Sequence, residues 1–225
     1  MKSKLSISRL LILPSLILML SCSKENINSH SGAGSIVSQT LNLNSFTEIE
    51  ITNYCDVEVV TGTTNKVEFS DYENLIQYLK FEEVGNKLVI KTTPENLNIR
   101  NSKAKAKVYM AGNLTGLFIT GSGNVNLLNS FNELSQCNIS GSGNVKAEIN
   151  STSSNLNCTI SGSGNIDFLK IASQNGNCTI SGSGNISIAV SNTLTAKIAG
   201  SGNISYLGNP TVSSTITGSG RLIKL

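Results

Sequence analysis

The sequence predicts an all-β fold, a parallel β-solenoid (β-helix) of six coils with 18–21 residues each. Three observations predict it: a Gly-Ser-Gly motif that recurs six times, apolar residues that alternate with small polar ones around each copy, and a composition of 20 Gly, no Trp and 5% aromatic residues. Abundant turn-forming residues with few aromatic anchors are typical of a turn-rich β protein.

The repeated motif marks the corners of the coils. It reads GSGN in five copies and GSGR in the sixth, at offsets of 20, 21, 20, 18 and 18 residues. We expect Gly here because it adopts positive φ at no steric cost, and Asn because it tolerates the left-handed region. Equivalent Asn side chains can also form a hydrogen-bonded ladder. The corner residues are Gly121, Gly123, Asn124, Gly141, Gly143, Asn144, Gly162, Gly164, Asn165, Gly182, Gly184, Asn185, Gly200, Gly202, Asn203, Gly218 and Gly220, with Arg221 in place of the sixth Asn.

Each corner joins two short strands. An Ile stands two residues before every motif, an aliphatic residue follows it directly, and small polar residues lie between the apolar positions. This period of two is a strand pattern. One unit cannot bury its apolar face alone, so equivalent residues are expected to stack in register. The Ile residues are Ile119, Ile139, Ile160, Ile180, Ile198 and Ile216, and the following residues are Val125, Val145, Ile166, Ile186, Ile204 and Leu222.

Two other interpretations of the motif fit less well. A phosphate-binding loop would have the GxGxxG spacing or a following Lys-Ser/Thr and would open a helix, and none of these is present. A calcium-binding repeat of the GGxGxDxUx type would need an Asp that every copy lacks. We therefore predict a structural role for the motif, with no metal site and no cofactor.

Three cysteines share one position of the repeat. Cys137, Cys158 and Cys178 lie two residues before an Ile and are predicted to face the core, as is Cys55. Stacked strands lie about 4.8 Å apart, wider than the roughly 3.8 Å between the Cβ atoms of a disulfide. Although an exported protein can oxidise its thiols, we expect buried free thiols.

The first segment has the pattern of an export signal. Residues 1–21 combine a basic start with an apolar stretch too short to span a bilayer, which predicts a signal peptide. The sequence Met19-Leu20-Ser21-Cys22 resembles a bacterial lipobox, which implies cleavage before Cys22 and lipidation of its thiol. Residues 22–35 are then expected to form a flexible tether, including His30, the one histidine of the chain.

The remaining chain divides into an N-terminal β region, 36–115, and the repeat solenoid, 116–225. Residues 36–115 alternate less regularly and contain a hairpin signal, Gly85-Asn86, between two apolar runs. We expect this irregular β segment to cap one end of the stack, since a bare last coil presents unpaired edge groups. The opposite end has little cover, and its use for self-association is an alternative.

Charge excludes one class of partner and disfavours catalysis. The net charge is +3 and the mature chain has no basic run, so nucleic acid is not an expected partner. Lys103, Lys105 and Lys107 alternate along one predicted strand face, which we interpret as solvated. The only acids after residue 110 are Glu133, Glu148 and Asp167, in different coils, whereas glycan cleavage needs clustered carboxylates. We expect no catalytic residues.

The lipobox, the segment FTEIEITNYCDVEVVTG, the segment NKLVIKT and the GSGN units together resemble the head GIN domain family of auto-transporter adhesins, over residues 43–223. The resemblance implies a right-handed β-helix and a place in the cell envelope of a Bacteroidetes-type bacterium. It implies no binding residues.

The expected function is that of a non-catalytic, lipid-anchored envelope protein at the outer membrane, with an adhesin-like or scaffolding surface. Its expected partners are the membrane and a glycan or envelope protein. The alternative is a polysaccharide-binding or polysaccharide-degrading β-helix protein.

Overall fold

The computed structural model describes residues 29–95 and 97–225. Within these residues the fold is all-β, as predicted, with a single 3₁₀ turn at Ile76–Tyr78. Seventeen strands form one sheet that winds into a solenoid, and two short strands form a second sheet. The predicted signal peptide, 1–21, and the lipidation site, Cys22, lie outside the described residues.

The N-terminal half contains nine strands. They are β1 (Ser29–Ser31), β2 (Ile36–Asn42), β3 (Glu48–Ile51), β4 (Asp56–Thr61), β5 (Lys66–Tyr72), β6 (Leu79–Val84), β7 (Lys87–Thr92), β8 (Asn98–Arg100) and β9 (Lys105–Met110). The hairpin at Gly85-Asn86 is confirmed, since β6 and β7 pair antiparallel around it and Gly85 has a φ of 65°.

The repeat half contains ten strands. They are β10 (Gly116–Ile119), β11 (Val125–Leu127), β12 (Gln136–Ile139), β13 (Asn144–Ala147), β14 (Ser151–Ile160), β15 (Asn165–Ile180), β16 (Asn185–Ile198), β17 (Ile204–Leu207), β18 (Thr211–Ile216) and β19 (Leu222–Lys224). Each corner motif separates a strand segment on one side of the solenoid from a segment on the other side.

Parallel pairing stacks these segments into eight layers across the described residues. Before the corners the order is β7, β3, β10, β12, β14, β15, β16 and β18. After the corners it is β9, β4, β11, β13, β15, β16, β17 and β19. The six layers that carry the repeated motif wind consecutively, which gives five full turns from the first corner to the sixth.

Stacking in register produces the continuous core that the repeat predicted. Ile119, Ile139, Ile160, Ile180 and Ile198 form one column, and each is at most 1% exposed. A second column, beyond the corners, contains Val125, Val145, Ile166, Ile186 and Ile204, with equally low exposure. These dry columns supply the favourable burial that a single coil lacks.

The N-terminal region does more than cap the stack. It contributes two of the eight layers, β3 with β4 and β7 with β9, and their order departs from the order of the chain. β3 lies between β7 and β10, so the later strand β7 is the outer one. The antiparallel strands β5 and β6 then cover this end, with β2 outside β5.

Part of the segment predicted as a flexible tether, 22–35, lies in regular structure. Ser29–Ser31 pairs as a parallel strand with Asn98–Arg100, and the His30 ring lies 5.1 Å from the ring of Tyr78. The small polar residues that suggested flexibility are held by this pairing and by the backbone N–H of Gly32, which donates to Arg100.

The opposite end of the described stack is open. All residues of β18 are exposed, including Val212 at 38% and Ile216 at 41%, because no further layer covers the columns that they extend.

Candidate functional site

The corner glycines are required for close stacking, not for positive φ as expected. Only Gly218, with a φ of 137°, lies in the left-handed region among the corner residues. At every other corner glycine the obstacle is the layer beneath: a Cβ on Gly164 would lie far inside 3.0 Å of the Gly143 carbonyl oxygen, and one on Gly162 would meet Gly141 in the same way. The absence of a side chain lets successive corners approach to backbone contact.

The corner asparagines form the expected ladder. Each Nδ2 donates to the Oδ1 of the Asn one layer below, at 2.8 Å for Asn144 to Asn124 and for Asn165 to Asn144, and at 2.9 Å for Asn185 to Asn165. The backbone N–H of each upper residue donates to the same oxygen, for example at 3.2 Å from Asn144. Every Oδ1 below the top of the ladder therefore accepts two hydrogen bonds.

The ladder has a charged residue at each end. At the lower end Asp56 takes the Asn position, and its Oδ1 accepts from Asn124 Nδ2 at 2.8 Å. At the upper end the Arg221 backbone N–H donates to Asn203 at 3.0 Å. The aligned amides direct their N–H groups toward the Asp56 carboxylate, whose charge complements the ladder dipole, and their oxygens toward the Arg221 backbone.

This polarity leads to a prediction for Asn165→Asp. The introduced carboxylate cannot donate to Asn144 Oδ1, so two acceptors would face each other, and we expect the free energy of unfolding to fall by about 1–3 kcal/mol at pH 7. Protonation restores a donor, so the loss should shrink as the pH falls through the raised pKa of the introduced carboxyl.

Urea unfolding at pH 4.5 and pH 7 measures this difference. Asp56→Asn is the matched control, because an amide at the lower end still accepts from Asn124 and only the charge–dipole attraction is lost, a cost of about 0.3–1 kcal/mol. An Asn165→Asp loss that is equal at both pH values would contradict the assigned direction of the ladder.

The four described cysteines are free and fully buried, as predicted. Cys137, Cys158 and Cys178 stack in register between Leu117 and Ala196. Burial raises the pKa of the Cys55 and Cys137 thiols, and a hydrogen bond with Cys178, together with burial, raises the pKa of Cys158.

All four thiols should be unreactive in the folded protein, because they are fully buried and the reaction needs an accessible thiolate. In the Cys22→Ser variant we expect no alkylation by iodoacetamide in buffer at about pH 8. In about 8 M urea, a concentration well above ordinary unfolding midpoints, we expect four alkylated cysteines per chain. Intact-mass spectrometry counts them. Rapid labelling in buffer would contradict the stacked core.

A concave polar surface lies beside the lower end of the ladder. Six neighbouring strands, β2, β5, β9, β4, β11 and β13, curve around an open concavity of about 720 Å³. We call it the concave face. Its outward side chains form two rows across the strands. The first row is Ser38, Ser70, Lys105, Asp56, Asn124 and Asn144, and the second is Thr40, Glu68, Lys107, Glu58, Asn126 and Lys146.

Charges on the concave face are balanced and mostly paired. Lys107 Nζ lies 3.8 Å from Glu58 Oε2. Glu68 accepts from Lys66 at 2.6 Å and from the Tyr109 hydroxyl at 3.0 Å, and these bonds lower its pKa. The three acids and three bases of the two rows leave no net charge.

Sequence reasoning found only part of this surface. The alternation of Lys105 and Lys107 along one strand face is confirmed, since buried Ala106 and Val108 separate and follow them. The sequence does not predict which side chains lie beside these lysines, namely Asp56, Glu58 and the first two ladder asparagines. Their placement follows from the pairing of β9 with β4 and of β4 with β11, which no repeat in the sequence indicates.

The three acids of the repeat region lie in different segments: Glu133 in a connection, Glu148 directly after β13 and Asp167 in β15. Glu148 Oε1 lies 2.8 Å from Lys146 Nζ, and this bond lowers the pKa of Glu148, which disfavours a role as general acid. Glu133 is exposed in a connection between layers. Across residues 29–95 and 97–225, no group of three His, Cys, Asp or Glu side chains could hold a metal ion. The same residues include no apolar helix long enough for a transmembrane span.

A family model described as "Putative auto-transporter adhesin, head GIN domain" matches residues 45–153 and again 117–210. The chain belongs to this family. The two matches cover five of the six corners, the ladder asparagines and the strands β4, β5, β9, β11 and β13 of the concave face, so head GIN domain describes most of the stacked part of the fold. No curated protein sequence matches the chain.

Solved structures share the head GIN architecture. A "putative adhesin" from Bacteroides fragilis is 18% identical with a TM-score of 0.68, over 87% of this chain and 100% of that one. A "putative adhesin" from Parabacteroides merdae is 19% identical with a TM-score of 0.57, over 88% and 99%. A "putative lipid binding protein" from Parabacteroides distasonis is 25% identical with a TM-score of 0.57, over 88% and 99%. Membership of the head GIN family supports an adhesin-like protein of the cell surface or envelope.

Proposed function

We propose that this chain is a non-catalytic, lipid-anchored protein of the outer membrane that presents its solenoid as an adhesin-like or scaffolding surface. The observation that carries the proposal is the pair of family matches, which lie on the stacked layers themselves. A stack of near-identical coils gives a long, rigid surface, which suits binding at a distance from the membrane. Its partner is a glycan or another envelope protein.

The anchor is tested by a single substitution. The chain is expressed with its own residues 1–28 in a Bacteroidetes host supplied with an alkyne fatty acid. We expect the wild-type protein to carry the label and to sediment with outer membranes, and Cys22→Ser to lose both properties. Two acyl chains hold a protein far more firmly than one, so the difference should be nearly complete. Membrane association that survives Cys22→Ser would overturn the anchor.

Catalysis is tested on the same preparation. We expect no release of reducing ends from neutral or acidic polysaccharides, since Glu148 is paired with Lys146 and Glu133 is exposed in a connection between layers. Cleavage that is abolished by Asp167→Ala would instead establish the polysaccharide-degrading alternative.

Binding to phospholipid vesicles is measured as well, because one of the similar solved structures is that of a "putative lipid binding protein".

A further inference from the structure

The core does not depend on the polar side chains of the concave face. Its two rows point outward, while the alternate residues of the same strands, such as Val57, Ala106 and Val125, are buried. The hydroxyl, amide, carboxylate and ammonium groups are therefore available to a ligand. The concavity of about 720 Å³ falls within the range of roughly 300–1,000 Å³ that is usual for ligand sites.

Its charges exclude a polyanion as the preferred ligand. The second row alternates Glu68, Lys107 and Glu58 across three neighbouring strands. A polyanion would meet carboxylates at every second strand, and like charges at close range are repulsive. Nucleic acid and acidic polysaccharide are bound by surfaces with an excess of basic groups, and this face has none.

Its composition also disfavours a protein partner. Protein interfaces depend on a few buried aromatic or arginine anchors surrounded by apolar area. Neither row contains an aromatic residue, Met, Arg or Leu. Phe69 borders the concavity but is buried, and its ring packs against Phe81 with 4.5 Å between the ring centroids.

Mixed donors and acceptors at a short, regular spacing suit a chain of hydroxyl groups. Asn124 Oδ1 already accepts two hydrogen bonds, so the side chain offers only its remaining N–H, whereas Glu58 offers carboxylate oxygens. Strands repeat about every 4.8 Å, which is close to the length of one sugar ring in an extended glycan. Successive sugars running across the strands would thus meet successive polar pairs.

From this geometry we propose that the concave face binds a segment of an uncharged polysaccharide. The inference rests on the proposed adhesin-like function and names the class of ligand. The polysaccharide lies across the strands from β2 toward β13, its hydroxyls donate to Asp56 and Glu58, and they accept from Lys105 and Asn126.

Affinity electrophoresis of the Cys22→Ser chain tests the proposal, with gels that contain mannan, dextran or xylan, or the acidic polymer polygalacturonate. The test variant is Lys105→Ala/Asn126→Ala, which removes two exposed groups and leaves the core intact. The matched control is Ser205→Ala, which lies in the outward row of Asn126 but beyond the concave face. Urea unfolding confirms that each variant is folded.

We expect at least one neutral polymer to retard the parent and Ser205→Ala equally, and the double variant to bind about tenfold more weakly. Retardation by polygalacturonate alone, neutral binding that the double variant retains, or binding to phospholipid vesicles alone would each overturn the proposal. So would the absence of retardation in every gel. The lipid-labelling result is independent of these outcomes, so failure of the glycan site and failure of the anchor are distinguishable.

Discussion

Gly164→Ala should lower the free energy of unfolding by about 3 kcal/mol, because its Cβ would occupy the space of the Gly143 carbonyl oxygen. The obstacle is backbone, so the strain cannot be relieved by rotating a side chain. Separating the two layers would also lengthen the bond from the Ser163 N–H to the Gly141 oxygen, which is 3.2 Å. Alanine also lowers the conformational entropy of the unfolded chain, but this effect offsets only about 0.4–1 kcal/mol of the loss.

Urea unfolding followed by circular dichroism measures this loss. Ser163→Ala is the matched control, since Ser163 is exposed at the same corner, and it should change stability by no more than about 0.5 kcal/mol. A Gly164→Ala protein as stable as the control would show that the corners do not stack in backbone contact.

Phe168→Ala should cost about 3–5 kcal/mol, because a fully buried ring leaves a cavity that a stack of strands cannot collapse around. Phe168 is in register with Ile188 of the next layer, so its removal also deprives that layer of contacts. The midpoint of thermal unfolding and the urea midpoint should both fall.

Phe118→Ala provides the comparison with the same change of side chain. Phe118 points outward from β10, and its ring lies 4.2 Å from Lys87 Nζ. An exposed cation–π contact contributes about 0.5–1 kcal/mol, and we expect a loss of that size. Equal losses for the two phenylalanines would place the ring of Phe168 outside the core.

The fold could be predicted wherever the sequence repeats. The Ile column, the Cys column and the Asn ladder each follow from a residue that returns every 18–21 positions, and stacking in register buries the first two and lines up the third on the surface. The reason for glycine was misjudged, because a sequence shows that a side chain is excluded but not whether dihedral angle or a neighbouring backbone excludes it.

The two N-terminal layers could not be predicted, because they lack the repeated motif. The corner between β3 and β4 is Asn53-Tyr54-Cys55-Asp56, in which Asp56 occupies the ladder position and accepts from Asn124. The order of the layers, with β7 outside β3, depends on long-range pairing that no local pattern encodes. The concave face depends on the same pairing. The sequence therefore indicates outward residues of a single strand, such as Lys105 and Lys107, but not which strands lie beside it.

The winding of the coils is tested most directly by distances along one row of corners. Two exposed serines of the Cys22→Ser chain are replaced by cysteines that carry the spin labels, either Ser122→Cys with Ser219→Cys or Ser122→Cys with Ser201→Cys. The buried thiols should not react with the label. Five layers of about 4.8 Å separate the first pair and four separate the second, so the backbone distances should be roughly 24 Å and roughly 19 Å. Double electron–electron resonance should give two narrow distributions that differ by about one layer. Distances that are equal, or that differ by several layers, would contradict a solenoid that rises by one strand at each Gly-Ser-Gly corner.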